Sequence, residues 1–417
     1  MYTIRKVLMK SVEQHISDLL GLVTTLEATE LDLLKAQGTV LAAPIVSPVS
    51  LPGFDNSSMD GYAVHAADLA EASAEAPVSL PVVADIPAGD PDPAAIRPGL
   101  CARIMTGAPM PTGADAVVPV EWTDGGAVDV RIDRPTRPGS FVRRRGEDVE
   151  EGATVLRAGA RIGAGEMGVL AAVGRRSVPV RPRPRVVVLS TGEELVEPGR
   201  PLGPGQIYES NSYMIAAAAR DEGCEVYRHG FVGDDPATVW DTLEGLLVRA
   251  DVVITTGGVS MGVYDVVKEV LTRQGTVEFT QVAMQPGKPQ GFGTIGPDKT
   301  PILTLPGNPV SAFVSFHLFV RPVLRRLRGL QPNPLPSVRA RLTTPVSSPR
   351  GRRSYLRAVL AGPAAADDEF PTVAPAVRQG SHQLSALADA NGLLAVPEEV
   401  TELPAGALAE VLVLPDR

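Results

Sequence analysis

Cysteine is almost missing from this chain: Cys101 and Cys224 are the two in 417 residues, far apart and outside any Cys-x-x-Cys. Neither a disulfide framework nor a thiolate zinc site is expected, only two reduced, partly buried thiols. Histidine is nearly as scarce, and His15, His65, His229, His317 and His382 lack the helical spacing of a histidine metal site. Basic residues are outnumbered, 39 Lys and Arg against 48 Asp and Glu, for a net charge of −9. That balance argues against non-specific binding to nucleic acid or to an anionic membrane, and an anionic ligand would need local help. No run approaches 18 apolar residues, and the opening Met1-Tyr2-Thr3-Ile4-Arg5-Lys6 meets Glu13 and Asp18 without a signal-peptide core, so a soluble, cytoplasmic protein without membrane contact is expected. A P-loop is absent too, because Gly287-Lys288 is followed by Pro289.

Glycine and proline are plentiful instead, 41 and 39 residues, which predicts many turns. With 44% hydrophobic residues each part can bury a core, and 417 residues argue for two to four domains. Apolar spacing predicts helix from Ser11 to about Gln37. Short apolar runs at Val78–Val83, Leu100–Met105, Ala116–Val120 and Val128–Ile132 read as a small β unit. Thr154–Ile162 reads as strand and Glu166–Val173 as helix, followed by a proline-rich linker, Val178 to Pro184.

Beyond the linker, strand and helix alternate as in a doubly wound parallel sheet covered on both faces. Strands are predicted at Arg185–Ser190, Glu225–Phe231, Asp251–Thr256, Val277–Ala283 and Ile302–Leu305, with an apolar helix from Val310 to about Leu327. Short strands return at Val338–Leu342, Tyr355–Leu360, Leu393–Val396 and Leu408–Leu414, a second small β unit.

Ligands of such sheets bind beyond the carboxyl ends of the strands. The loops there carry Thr191-Gly192-Glu193-Glu194, Gly233-Asp234-Asp235, the stretch Gly257-Gly258-Val259-Ser260 running on to Asp265, Pro286-Gly287-Lys288-Pro289, and Pro306-Gly307-Asn308-Pro309. Gly257-Gly258 is either a tight turn or a cradle whose N–H groups meet an oxyanion. Glu194 and Asp265 beside it would repel an anion unless a hard cation such as Mg²⁺ lay between. Lys288 is either a solvated charge or a phosphate contact. Phe54 to Tyr62 reads as a polar surface loop, and Arg143-Arg144-Arg145 as a solvated strand end or a phosphate clamp. Gly163-Ala164-Gly165-Glu166-Met167-Gly168 matches a dinucleotide fingerprint, but Arg183 and Arg185 stand where the acidic partner belongs, so it reads as the start of a helix.

Taken in order, Met59-Asp60-Gly61-Tyr62-Ala63-Val64, Ile104-Met105-Thr106-Gly107-Ala108-Pro109, Arg144-Arg145-Gly146-Glu147-Asp148, Ser190-Thr191-Gly192-Glu193-Glu194-Leu195, Gly257-Gly258-Val259-Ser260-Met261-Gly262 and Leu305-Pro306-Gly307-Asn308-Pro309-Val310-Ser311 resemble the molybdopterin molybdenumtransferase family, which includes the E domain of gephyrin. The resemblance implies insertion of molybdenum from molybdate into adenylylated molybdopterin, with release of AMP, Mg²⁺ as cofactor, and a homodimer whose cleft is shared between subunits. It further implies a discontinuous helical-β domain (1–44 and 150–180), a small β domain (45–149), a doubly wound α/β domain (181–330) and a C-terminal β domain (331–417). Catalytic roles are implied for Asp60, Thr106, Glu194 and Asp265, the last two as metal ligands. Substrate contacts are implied at Arg143, Asp148, Asp234, Gly257, Gly258, Ser260, Lys288, Pro306, Gly307, Asn308, Pro309, Arg357 and Ser381. Several relatives carry lysines where this chain has Gln281 and Gln285. The alternatives are the related molybdopterin adenylyltransferase, itself also a candidate partner, and a non-catalytic scaffold.

Overall fold

The computed structural model describes residues 9–233, 235–259, 266–273, 277–333, 335–363 and 369–415. Two compact units result, one from Glu30–Gln37 and Leu41–Pro179, the other from the residues up to Thr29, Gly38–Val40 and Val180 onward.

The first of these units holds a five-stranded sheet made of β1 (Gly61–Val64), β2 (Val78–Ile86), β3 (Cys101–Ile104), β4 (Ala116–Pro119) and β5 (Asp129–Ile132), in the order β4-β1-β3-β2-β5. Four of the five follow the predicted apolar runs. β1 does not, since it lies at the end of the stretch read as a polar surface loop and is buried throughout. The polar, turn-forming residues just before it masked the strand, and Gly61 is needed because a Cβ there would collide with the Val118 carbonyl of the paired β4. Tyr62, Val64, Cys101, Val118 and Val130 form the core of one face. The fingerprint-like glycines do begin a helix, Ala164–Ala172, in which Glu166 accepts the Gly163 N–H at 2.9 Å.

In the other unit α1 (Val12–Gly21) starts at Ser11, whose hydroxyl accepts the Gln14 N–H at 3.0 Å. The predicted continuation to Gln37 fails: residues 23–28 have no regular secondary structure, and the chain then forms a strand at Thr29–Asp32 and a single helical turn at Leu33–Ala36. The apolar spacing of Leu31, Leu33 and Leu34 misled here, because Leu34 is 84% exposed. The proline-rich stretch read as a linker also contains a strand, Ser177–Arg181.

The doubly wound sheet is formed by β6 (Arg185–Thr191), β7 (Glu225–Val232), β8 (Val252–Thr256), β9 (Val277–Gln281), β10 (Pro289–Ile295) and β11 (Thr300–Leu305), in the order β7-β6-β8-β11-β10-β9. The first four in that order are parallel, as expected. An antiparallel pair, β10 and β9, extends the β11 edge. The sequence reading did not anticipate β10, whose Gly291 and Gly293 dilute the strand signal. Alternate side chains of β6 enter opposite cores. Val186 and Val188 pack with Ile215 and Ala219 of α2 (Asn211–Asp221), whereas Val187 and Leu189 pack with Val239 and Leu243 of α3 (Pro236–Leu247) and Val267 and Leu271 of α4 (Val266–Arg273). Burial on both faces explains the unbroken Val-Val-Val-Leu run.

The apolar helix expected after Pro309 comprises α5 (Pro309–Ser315), a π-helical segment (Phe316–Val320) and α6 (Arg321–Leu327). Pro322 explains the widened turn, since its ring cannot donate to the preceding turn and crowds its carbonyl. The C-terminal strands β12 (Ser337–Leu342), β13 (Arg353–Pro363), β14 (Pro371–Pro375), β15 (Gly392–Val396) and β16 (Leu408–Val413) run β13-β14-β12-β16-β15, and β13 also pairs with β15, closing the sheet on itself. Among the described residues no helix is long and apolar enough to cross a membrane.

Candidate active site

At the carboxyl ends of β6, β8 and β11 lies a cleft of about 1680 Å³ whose opposite wall is supplied by the C-terminal strands. Its floor is made by turns the sheet brings side by side. Ser190 and Thr256 are register partners at the ends of β6 and β8, so Thr191-Gly192 and Gly257-Gly258 leave the sheet together. Gly257 has φ +90°, and a Cβ there would lie 2.8 Å from the Thr191 carbonyl oxygen, so glycine is required. The turn after β11 arrives at the same point, with the Cβ position of Gly307 3.5 Å from the Gly257 Cα. Asn211 Nδ2 donates to the Gly307 carbonyl at 2.7 Å, and Val310 N to the Ser381 carbonyl at 3.2 Å, which anchors the Pro306–Pro309 turn at both ends.

The charges of the cleft are placed unequally. Glu194 folds its carboxylate back over Gly192, and among the described residues no side-chain hydrogen bond or ion pair engages it. Lys288 is half-buried and equally unpaired among the described residues. Arg357 is 1% exposed, and its Nη1 and Nη2 donate to the carbonyls of Gly380 at 3.2 Å and Arg378 at 2.6 Å. Its Nε has no partner among the described residues, and burial pushes its pKa below the ordinary arginine value. A buried guanidinium without a carboxylate favours an anion that enters the cleft.

Of the residues singled out from the sequence, Glu194, Gly257, Gly258, Lys288, Pro306, Gly307, Asn308, Pro309, Arg357 and Ser381 all line this one cleft. Four others lie in the other unit. There Asp60 Oδ1 accepts the Thr106 N–H at 2.6 Å, and the Thr106 backbone and hydroxyl hold this carboxyl below the usual aspartate range. Arg143 and Asp148 are exposed in the same unit. The three-guanidinium clamp is reduced, because Arg144 pairs with Asp55 at 2.6 Å and Arg145 with Glu151 at 3.4 Å. Asp234, Ser260 and Asp265 lie outside the described residues.

Sequence reasoning missed several cleft residues. Asn211 and Glu209 belong to Tyr208-Glu209-Ser210-Asn211-Ser212, a polar stretch leading into the first turn of α2 that was not distinguishable from ordinary capping residues. Arg352 also lines the cleft, one position before the Arg353–Ser354 segment that pairs with Met284–Gln285. Arg352 and Gln285 both line the cleft. Only strand pairing makes these neighbours.

A metal ion needs more than Glu194. Among the described residues no group of three or more His, Cys, Asp or Glu is arranged to hold one. Glu194, unpaired and beside the glycine turn, fits a hard cation that takes its remaining ligands from a phosphate-bearing substrate.

Three family models match: the MoeA N-terminal region (domain I and II) over residues 10–174, a probable molybdopterin binding domain over 187–326, and the MoeA C-terminal region (domain IV) over 339–414. Molybdopterin molybdenumtransferase 2 of Mycobacterium tuberculosis is 49% identical over 409 residues, 97% of this chain and 99% of that one. Molybdopterin molybdenumtransferase of Nostoc is 42% identical over 328 residues, 77% of this chain and 75% of that one. The crystal structure of the molybdopterin biosynthesis moeA protein from Pyrococcus horikosii superposes with a TM-score of 0.82 at 33% identity, covering 98% of this chain and 99% of that one. The chain therefore belongs to the molybdopterin molybdenumtransferase family.

Proposed function

We propose that the protein is a molybdopterin molybdenumtransferase that inserts molybdenum into molybdopterin in molybdenum cofactor synthesis. The observation that carries this reading is the cleft itself: a glycine turn suited to phosphate faces, in one cavity, a buried Arg357 with a spare Nε and an unpaired Lys288. Two anionic substrates thus have two separate cationic or N–H-rich places.

In the finer form of this proposal, molybdate is held by Arg357 and Lys288, with Ser381 beside them, while the phosphate of adenylylated molybdopterin lies on Gly257 and Gly258. Holding both removes translational freedom and neutralises their mutual repulsion. Mg²⁺, held by Glu194 and by Asp265, would supply Lewis-acid polarisation of the phosphoanhydride as AMP leaves. The Asp60–Thr106 pair orients a proton or water near the reacting atoms in this proposal. A cytoplasmic homodimer with a cleft shared between subunits, the four-domain division given above, and a contact with the adenylyltransferase that supplies the substrate complete the reading, all on the strength of family resemblance.

The experiment is direct. Purified protein is incubated with adenylylated molybdopterin, and AMP release is followed while molybdate and Mg²⁺ are omitted in turn. Release only when both are present is expected; equal release without molybdate would overturn the assignment, and equal release after chelation would remove the cation from it.

A further inference from the structure

The deepest acid in the cleft wall is Glu209, 1% exposed and without a role in the chemistry above. Its Oε1 accepts from Ser190 Oγ at 2.8 Å and from the Ser212 backbone N–H at 2.7 Å. Its Oε2 accepts from Ser212 Oγ at 2.6 Å and lies 3.7 Å from Arg228 Nη1. Ser190 Oγ also shares a 2.8 Å hydrogen bond with Thr256 Oγ1. All the groups facing the carboxylate are donors, which suits the acceptor-only form of the side chain. Arg228 is itself fixed from behind, paired with Glu197 and stacked on the Tyr213 ring at 3.9 Å.

What these partners have in common is their position. Ser190 and Thr256 are the last buried residues of β6 and β8 before the Thr191-Gly192 and Gly257-Gly258 turns. Ser212 stands in the first turn of α2 next to Asn211, whose amide holds the Gly307 carbonyl of the third turn. One carboxylate is thus joined, by at most two hydrogen bonds and one chain step, to each of the three turns that make the cleft floor. A buried charge is costly to desolvate, and a well-packed apolar side chain would stabilise a merely structural site as well or better.

We propose that Glu209 is a positioning residue for the oxyanion cradle: it sets the spacing of the Gly192, Gly257 and Gly307 turns so that their backbone groups meet the phosphate of the nucleotide-bearing substrate. The proposal rests on the transferase reading above and deepens it. Arg357 and Lys288, assigned to molybdate, make no hydrogen bond to this network, so its loss acts on one substrate and spares the other.

The test is a pair of variants with steady-state kinetics for each substrate. Glu209→Gln keeps the shape but turns an NH2 group toward donors on one side. Thr256→Val keeps the shape and cuts the arm to β8 alone. The expected result is a rise of about tenfold in the KM for adenylylated molybdopterin with Glu209→Gln, the size expected from losing one buried hydrogen bond to a charged group. A smaller rise in the same KM is expected with Thr256→Val, and the KM for molybdate stays unchanged in both. The proposal is overturned if both KM values rise together, or if the unfolding temperature alone falls while both KM values hold. Wild-type protein that fails to turn over in the presence of molybdate and Mg²⁺ would instead overturn the transferase reading, and this inference with it.

Discussion

Asp60 and Thr106, 46 positions apart, are joined by a 2.6 Å hydrogen bond from the Thr106 N–H to Asp60 Oδ1, so the loop before β1 and the loop after β3 form one unit of structure. The bond favours the ionised carboxyl. Asp60→Asn can still accept from Thr106 but lacks the charge, whereas Asp60→Ala loses both. If the charge is what the reaction needs, both variants lose about 100-fold in kcat/KM, within the range for general acid–base groups. Near-normal activity of the Asn variant would show that only the loop contact matters. The acid limb of the wild-type rate profile should lie below the usual aspartate range, because the folded value is depressed and the carboxylate persists to lower pH.

Arg357→Lys tests the proposed molybdate contact. A lysine cannot reproduce two donors to the Gly380 and Arg378 carbonyls together with a third aimed at the ligand. The KM for molybdate should rise by roughly 10- to 100-fold, the effect of one or two lost charged hydrogen bonds. An unchanged value in equilibrium binding of molybdate would remove Arg357 from the site.

Glu194→Gln tests the cation. Removing the carboxylate should raise the Mg²⁺ concentration needed for half-maximal rate by about tenfold or more, as expected for the loss of a charged ligand. A titration identical to that of the wild type would exclude Glu194 as a ligand.

Glu222 and Arg321, 8% and 9% exposed, form an ion pair of 2.5 Å. Arg325 approaches the same carboxylate at 3.9 Å, and Arg328 donates to the Glu222 carbonyl. Glu222→Gln leaves Arg321 buried without its counter-charge and should destabilise the fold by about 3–5 kcal/mol, measured by denaturant unfolding. A change under about 1 kcal/mol, typical of an exposed pair, would show that water reaches the site.

His15 packs edge-on against Phe292 and Phe319 with ring centroids at 5.1 and 4.6 Å, and burial lowers its pKa to about 4. Because the folded value lies below the unfolded one, the unfolded chain takes up the proton first as pH falls. The neutral ring thus contributes fully above about pH 6.5, and its contribution, at most roughly 3 kcal/mol, is lost between about pH 6.5 and 4. His15→Phe should flatten the fall of unfolding free energy over that window, and an unchanged slope would assign the dependence to other groups.

Much of the architecture was legible because local rules agreed with the tertiary outcome. The unbroken Val-Val-Val-Leu run of β6 fits the strand covered on both faces that was expected at Arg185–Ser190. The failures have equally local causes. β1 and β10 carry glycines, at Gly61 and at Gly291 and Gly293, that interrupt the apolar run a strand is read from, although Tyr62, Val64, Phe292 and Ile295 supply their buried side chains. Helical spacing from Leu31 to Leu34 carried no information, since one of those leucines faces solvent.

By itself the sequence determined the chemistry on offer: which strands end in glycine turns, which loops bear a carboxylate or lysine, and, through the order of its motifs, the family to which the chain belongs. Tertiary structure alone decided which of these groups meet. Arg357 becomes a buried cation in the cleft lining because β13 holds it with two carbonyl partners and no acid, and Glu209 reaches the β8 turn because parallel pairing sets Ser190 beside Thr256. Hydrogen-bond register and burial are relations between distant segments, and neither is encoded in the spacing of residues along one of them.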